Sequence, residues 1–396
     1  MRTNIWTSST LRTSAEVTLR VVDSIATIPA EHWNALANAP DLAGNPFVRH
    51  EFLLALERTG CVGEGTGWVP RHLLLQTTNG ELEAALPLYS KSDSWGEFVF
   101  DWSWARAYAQ AGLRYYPKLV SMAPFTPATG PRLLAKTQNA RERMAKALIE
   151  YARAEHVSSA HLLFVTETDR AALGSRDFLW RKDCQFHWHN RDHASFDAFM
   201  ATFRSDKRKK ALRERRRVRE NGVQFRTLGG EEMDAQLWDI VFGFSAGTFA
   251  VRGHEHYLNA QFFRTVSAAM PGAVVVKLAE IQGTPIAAAI FFRGGDTLYG
   301  RYWGAAAEFH SLHFETCYYQ GIEYCIEQGL RRFEPGTQGE HKVPRGFEPE
   351  QTWSAHWIAD PRFRRAIDSY LDQERPAVDE YMRQVQEHSP FKKESG

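Results

Sequence analysis

The chain has 396 residues, 43% hydrophobic and 24% charged, with 48 Lys+Arg against 47 Asp+Glu for a net charge of +1. This is the composition of a soluble globular protein of two domains, and it excludes a global attraction to nucleic acid or membrane. Cys61, Cys184, Cys317 and Cys325 lack CxxC spacing and no apolar run is long enough to span a bilayer, which excludes a disulfide framework, a zinc ribbon or a membrane span and assigns the protein to the cytoplasm.

Residues 1–15 hold two arginines, no acid and no hydrophobic segment, and read as a disordered N-terminus. VTLRVV (17–22) alternates as a strand, and Pro29 opens a helix carrying Trp33 and Leu36. Residues 47–58 form a second helical pattern with Phe52, Leu53 and Leu56 on one face. HLLLQTTNGELEAALPLY (72–89) predicts two strands joined at Asn79-Gly80. Residues 90–132 are aromatic, Pro-rich and without a period, and read as an insertion. Helix returns over 141–154 and strand over 161–166.

Ser195 is placed to cap one long helix that ends at Gly222. VQFRTL follows as a strand, then helices over 231–244 and 257–269. Residues 273–304 give three consecutive strands with turns at Gln282-Gly283 and Gly294-Gly295. Next come a helix over 314–328, a short strand LRRFE, and a polar loop over 333–349. A last strand, QTWSAHWI, precedes a C-terminal helix from Pro361 to about Glu387.

The two halves echo each other. Trp33 matches Trp238, FVRHEFLLAL (47–56) matches YLNAQFFRTV (257–266), and Asn79-Gly80 with Ala84-Ala85 matches Gln282-Gly283 with Ala287-Ala288. Later, IEY at 149–151 matches IEY at 322–324, while Arg176-x-Phe178 and His187-Trp188 match Arg345-x-Phe347 and His356-Trp357. The offset shrinks between the early and late matches, as it does when the first half carries the insertion 90–132. The chain therefore reads as a tandem pair of related α/β domains, 16–195 and 196–396. Each has the element order of the Gcn5-related N-acetyltransferase (GNAT) fold, with mixed, mainly antiparallel sheets flanked by helices.

Four stretches carry a closer resemblance: GEFVFDWSWARAY (96–108), YYPKLVSMAPFTPATGPRLL (115–134), HFETCYYQGIEY (313–324) and GEHKVPRGFEP (339–349). With the basic helix KRKKALRERRRVRENGV (207–223), they resemble the Fem-type peptidyltransferases. More closely, they resemble the Fem-related predicted N-acyltransferases of peptidoglycan biosynthesis or recognition. The resemblance implies splayed strands whose gap receives the pantetheine of acyl-CoA or an equivalent carrier. It also implies that Lys342 binds or polarises the acyl group. The chain has no plain Q/R-x-x-G-x-G/A loop; GRYWGAAAEFHSLHF occupies that place, which sets it apart from ordinary acetyl-CoA users.

Amide formation by acyl transfer needs a base for the amine proton and donors for the oxyanion. Glu315, Glu340 and His341 are the candidate catalytic groups, and Lys342 and Arg345 suit substrate charge. His313, Tyr318 and Gln320 lie on or beside the preceding helix as further substrate-binding candidates. In the first half, Lys91, Asp101, Trp104, Tyr116 and Lys118 offer a charged and aromatic wall for a sugar or peptide, or an Ω-like loop packed on itself. The ten Lys/Arg between Arg204 and Arg219, Lys207, Arg208 and Arg215 among them, suit a phosphate-rich carrier or form a solvated helix.

His310-x-x-His313-x-Glu315 can be drawn as a metal site, but nothing else in the sequence supports one, and no metal is assigned. The leading reading is an N-acyltransferase that joins an activated acyl or aminoacyl group to an amine, a peptidoglycan-related precursor being one such acceptor. No cofactor is tightly bound, and acyl-CoA or aminoacyl-tRNA is the donor. The acceptor is expected between the halves. The second reading is a non-catalytic binder of a muropeptide or nucleotide carrier that keeps the fold.

Overall fold

The computed structural model describes residues 5–6, 17–39, 44–174, 177–307, 309–337 and 339–392. The chain divides into two compact units that interleave in sequence: residues 1–183 with 352–378, and residues 184–351 with 379–396. This differs from a single division at residue 195. The physical reason lies in the late strand Glu348–Ile358: its Ala355 to Ile358 pair with Leu162 to Ser159, and Ala355 and Trp357 are buried in the first unit's core.

The first unit contains a five-stranded antiparallel sheet in the order Ile5–Trp6, Val17–Val22, His72–Thr77, Leu82–Leu86, Leu134–Ala135. Ile5–Trp6 pairs with Arg20 and Leu19, so part of the N-terminus expected to be disordered is a strand; residues 1–4 and 7–15 lie outside the described residues. Gly80, at φ 81°, turns the hairpin where the sequence placed it. Thr137 caps the helix Gln138–Ala154, whose Met144, Leu148 and Tyr151 share a core with Leu73, Leu75 and Leu86.

A second set of strands places the segment that had looked irregular. Tyr89–Lys91 pairs with Lys118–Ser121, which runs parallel to Ser159–Leu162. Between them lies the helix Trp102–Gln110. It was hidden because only Trp104 and Tyr108 are buried, while Trp102 is exposed and blurs the helical period.

The second unit has antiparallel strands Val223–Gly229, Val274–Ile281, Thr284–Gly294 and Thr297–Ala305. Gln282 and Gly283 both take positive φ (50° and 77°), as the tight turn between two of them demands. The segment expected as one long helix is two, Phe196–Ala201 and Ser205–Glu220. They break because Phe203, fully buried, makes an isolated bridge to Phe391. Leu212 is exposed; Ala211, Glu214 and Val218 face inward instead. Two further helices, Ala235–Val251 and Ala260–Ala269, are capped by Asp234 and Asn259.

The helix expected over 314–328 starts at Leu312 and widens into a π turn over Glu315–Tyr319 before continuing as Gln320–Glu327. The polar loop contains a 3-10 turn, Glu340–Arg345. The C-terminal helix is Pro361–Gln386. Among the described residues no helix is long and apolar enough to cross a membrane.

Candidate functional site

In the second unit, Thr297–Ala305 runs parallel to Arg332–Glu334 only over Thr297, Leu298 and Tyr299. Pro335 then has no N–H to continue the ladder, and Gly336 at φ 96° turns the chain. A bulge where Arg301 is the extra residue, between Gly300 and Tyr302, bends the longer strand at the same level. The two strands therefore part, and a groove opens between them. A cavity of about 250 Å³ occupies it, lined by Phe249, Ile290, Phe291, Gly300 to Trp303, His313, Cys317, Tyr318 and Pro335, with Thr248, Arg252 and Ala289. A Cβ on Gly300 would lie 3.1 Å from Pro335 Cα, so the smallest residue stands where the strands begin to diverge.

Tyr318 lines one wall, and its hydroxyl lies 2.8 Å from His341 Nε2. The His313 ring lies 5.4 Å from Tyr318 and 6.2 Å from His341, centre to centre. Burial lowers the pKa of both histidines, aided at His341 by Lys342 and Arg345; His313 falls to about 4. Both rings are therefore neutral near pH 7 and His341 can accept a proton. Burial also raises the Tyr318 phenol well above its ordinary value, so it is a hydroxyl, not a phenolate.

Lys342 is buried at 2% exposure, donates to Gly336 O at 2.7 Å, and its amine is pulled down to about 7 by burial. Arg345 donates to His341 O at 2.6 Å and to Glu214 at 2.8 Å, with its guanidinium 3.4 Å from the Phe314 ring centre. Tyr319 donates to the other oxygen of Glu214 at 2.7 Å. The successive tyrosines of the π turn take different partners, Tyr318 meeting His341 and Tyr319 donating to Glu214.

The structure thus brings His313, Tyr318, His341, Lys342 and Arg345 together. Glu340 sits exposed at the start of the 3-10 turn. Glu315 is buried and held by Arg215, which donates through Nε and Nη2 at 3.0–3.1 Å, and by Gln320 at 2.8 Å. Arg215 also donates to Glu323 at 2.6 Å and lies 4.2 Å from the Phe196 ring centre. Lys207 and Arg208, part-exposed on the same helix, stand apart from that pair. His310 meets Arg217, so His310, His313 and Glu315 do not converge; among the described residues no group of three or more His, Cys, Asp or Glu is placed to hold a metal.

In the first unit Lys118, fully buried, donates to Ser94 at 2.9 Å, to Glu97 at 2.7 Å and to Asp101. Burial raises Glu97 to about 7, whereas Lys118 and His161 overcome burial at Asp101 and hold it below its ordinary value. Tyr115 donates to Asp101, Tyr116 meets Ser94 at 2.8 Å, and Trp104 packs edge-on against His356. His161 and His356 face each other through their Nδ1 atoms at 2.7 Å. Lys91, also fully buried, lies 3.9 Å over the Trp68 ring and donates to Trp95 O. Of these five candidates, Asp101, Tyr116 and Lys118 are linked through Ser94, while Lys91 and Trp104 have partners of their own.

Sequence reasoning missed Glu214 and Glu334. Glu214 was findable: it is the one acid on the inward stripe of a helix crowded with cations. Glu334 sits at the last paired position before the groove, 3% exposed, ion-paired to Arg332 Nε at 3.2 Å, and burial raises it to about 7. Nothing in LRRFE distinguishes it from a surface glutamate.

A parallel pair that splays around a groove, within mixed, mainly antiparallel sheets flanked by helices, defines a GNAT-like fold. Residues 24–393 match the FemAB-like family, described as peptidoglycan biosynthesis/recognition, and the chain belongs to that family. Among solved structures it is similar to FemX, at TM-score 0.53 and 12% identity over 86% of this chain and 98% of that one. It is similar too to the C-terminal domain of a putative lysylphosphatidylglycerol synthetase from Agrobacterium fabrum, at TM-score 0.55 and 9% identity over 88% and 97%. L-PGS from Bacillus licheniformis gives TM-score 0.51 and 10% identity over 84% and 92%. No curated protein matches the sequence.

Proposed function

We propose that the protein is an N-acyltransferase that joins an activated acyl or aminoacyl group to an amine on a peptidoglycan-related acceptor. The observation that carries this reading is Tyr318, on the wall of the groove between splayed strands, with its hydroxyl 2.8 Å from His341 Nε2. The donor's carbonyl enters the groove, and the amine attacks its carbon. A C–N bond forms and the carbonyl–carrier bond breaks. The amine's proton passes to the Tyr318–His341 pair and is returned to the leaving group, a transfer worth about 10²–10⁴ in rate. Lys342, with an amine near neutrality, donates to the carbonyl oxygen as charge develops.

This chemistry asks for no metal or redox cofactor, since the donor brings its own activation. The exposed part of the basic helix, Lys207 and Arg208 included, serves a phosphate-rich carrier. Cys61, Cys184, Cys317 and Cys325 form no disulfide among the described residues, which fits a reducing compartment such as the cytoplasm.

The test is mass spectrometry of acylated product after incubation with acyl-CoA or aminoacyl-tRNA and a diamino-acid muropeptide. Tyr318→Phe and His341→Asn are each expected to slow turnover about 100-fold or more while donor affinity changes only a few-fold. Donor binding without product, in the parent protein, would replace this reading with that of a non-catalytic binder.

A further inference from the structure

We infer that the first unit carries a docking surface for an anionic lipid membrane, made by the exposed rings of Trp95, Phe100, Trp102 and Tyr370 with Arg106 and Arg114 beside them. The surface lies outside the groove and is independent of the acyl-transfer reading.

The segment 94–114 has its usual polarity reversed. Its two acids, Glu97 and Asp101, are 1% and 2% exposed and turn inward onto Lys118, while Trp95, Phe100 and Trp102 stand 50%, 47% and 39% exposed. Eight large hydrophobic side chains are exposed among the described residues, and these three touch in a row. Phe100 and Trp102 lie 4.9 Å apart between ring centres, and Trp102 and Trp95 lie 5.5 Å apart. Tyr370, a fourth of the eight, adjoins them: Arg181 donates to Phe100 O and to Glu374, and Glu374 accepts from the Tyr370 hydroxyl. Scattered exposed hydrophobics need no explanation, but a contiguous patch marks an interaction surface.

The patch is held in place from below. Trp95 N donates to Asp93, and Trp95 O accepts from Lys91 and from the Trp68 indole. The backbone is thus already ordered, and docking has little conformational freedom left to remove.

Charge decides the occupant. Arg106, one turn beyond Trp102 on the exposed side of the helix Trp102–Gln110, and Arg114 are both exposed, and neither forms an ion pair among the described residues. Asp93 and Glu374, the acids at the border of the patch, are already paired with Lys91 and Arg181. A second copy meeting the patch face to face would bring cations to cations, with the acids of the segment buried. An anionic bilayer suits both halves of the surface. Tryptophan and tyrosine rings are favoured at headgroup level, and each arginine near the negative surface strengthens binding about fivefold. Four rings and two cations give reversible, peripheral attachment.

The experiment is flotation of the full chain with vesicles of phosphatidylcholine alone or with about one third phosphatidylglycerol, at about 0.15 M salt. The parent protein is expected to float with the anionic vesicles. Trp95→Ser with Trp102→Ser should weaken that binding about tenfold or more. Arg106→Glu with Arg114→Glu keeps the rings, gives a separate readout if the first variant folds poorly, and should weaken binding about 25-fold on anionic vesicles only. Lys207→Glu with Arg208→Glu, on the basic helix of the other unit, should leave the effect of the tryptophan substitutions unchanged. Vesicle binding that survives both patch variants, or that is lost only with Lys207 and Arg208, overturns the inference. A parent protein that ignores vesicles but dimerises through the same tryptophans, read by analytical ultracentrifugation, overturns it in favour of a second copy.

Discussion

Lys342 shows what burial does to an amine. Its pKa is about 7 in the fold against about 10.4 in an unfolded chain, because burial penalises the charged form. Between those values the unfolded chain holds a proton that the folded one has lost, so this group's contribution to stability rises with pH across that window. Below about pH 7 both states are protonated and the burden of a buried ammonium is fully present. Lys342→Met should therefore help stability most at or below pH 7, with its advantage fading by about 1 kcal/mol per pH unit between pH 8 and 10. Urea midpoints of the two proteins across pH measure this, and parallel curves would refute it. Lys118 is the opposite case. It neutralises Glu97 and Asp101 at full burial, so Lys118→Met strands buried carboxylate charge and should cost about 3–5 kcal/mol, read as a lowered urea midpoint. The identity of such groups was legible in the sequence, because charged residues packed among aromatics drew notice at 91–118. Their partners were not, since His161 and His356 come from strands far away in the chain.

At the level of elements, the hairpins were the most legible feature. Asn79-Gly80 and Gln282-Gly283 declare their positive φ in the choice of residue. One matched pair also falls on like elements: Trp33 and Trp238 are both buried helix tryptophans whose indole N–H donates to a backbone carbonyl. The π turn was not legible, because one extra residue in a helix leaves the apolar period nearly unchanged. Neither was the 3-10 turn Glu340–Arg345, which the glycines and prolines around it made look irregular. Gly339, at φ 112°, starts that turn, and a Cβ there would sit 2.1 Å from the His341 ring. Gly339→Ala is expected to cost about 1–3 kcal/mol and to push His341 off Tyr318. In the same protein, turnover should fall further than Tm alone explains. Gly304→Ala should act on stability instead, because its Cβ would strike the backbone at Phe244 and lift the helix Ala235–Val251 off its strand.

For the molecule as a whole, chain order and unit membership do not coincide. A division at residue 195 follows the repeat in the sequence, yet the first unit needs residues 352–378 to complete its core. Expressed alone, residues 1–195 should lack a cooperative thermal transition, whereas the same fragment with 352–378 fused behind a flexible linker should recover one. A cooperative transition of the short fragment by calorimetry would overturn this. A net charge of +1 leaves polyanion binding to local patches. Replacing Lys207 and Arg208 together by Glu should then weaken tRNA or CoA binding and flatten its salt dependence by about two counter-ions.

The facing imidazoles His161 and His356 have a directional consequence. Only one of the two Nδ1 atoms can carry the shared hydrogen, so the rings are locked into opposite tautomers. Because His161 Nε2 meets Ser159 at 2.8 Å and His356 Nε2 meets Ser354 at 2.9 Å, each tautomer dictates which serine gives and which receives. The row from Ser354 to Ser159 therefore has a polarity. Reversing it requires the proton between the rings and those shared with both serines to shift together, so this row of four groups behaves as one object with two polarities.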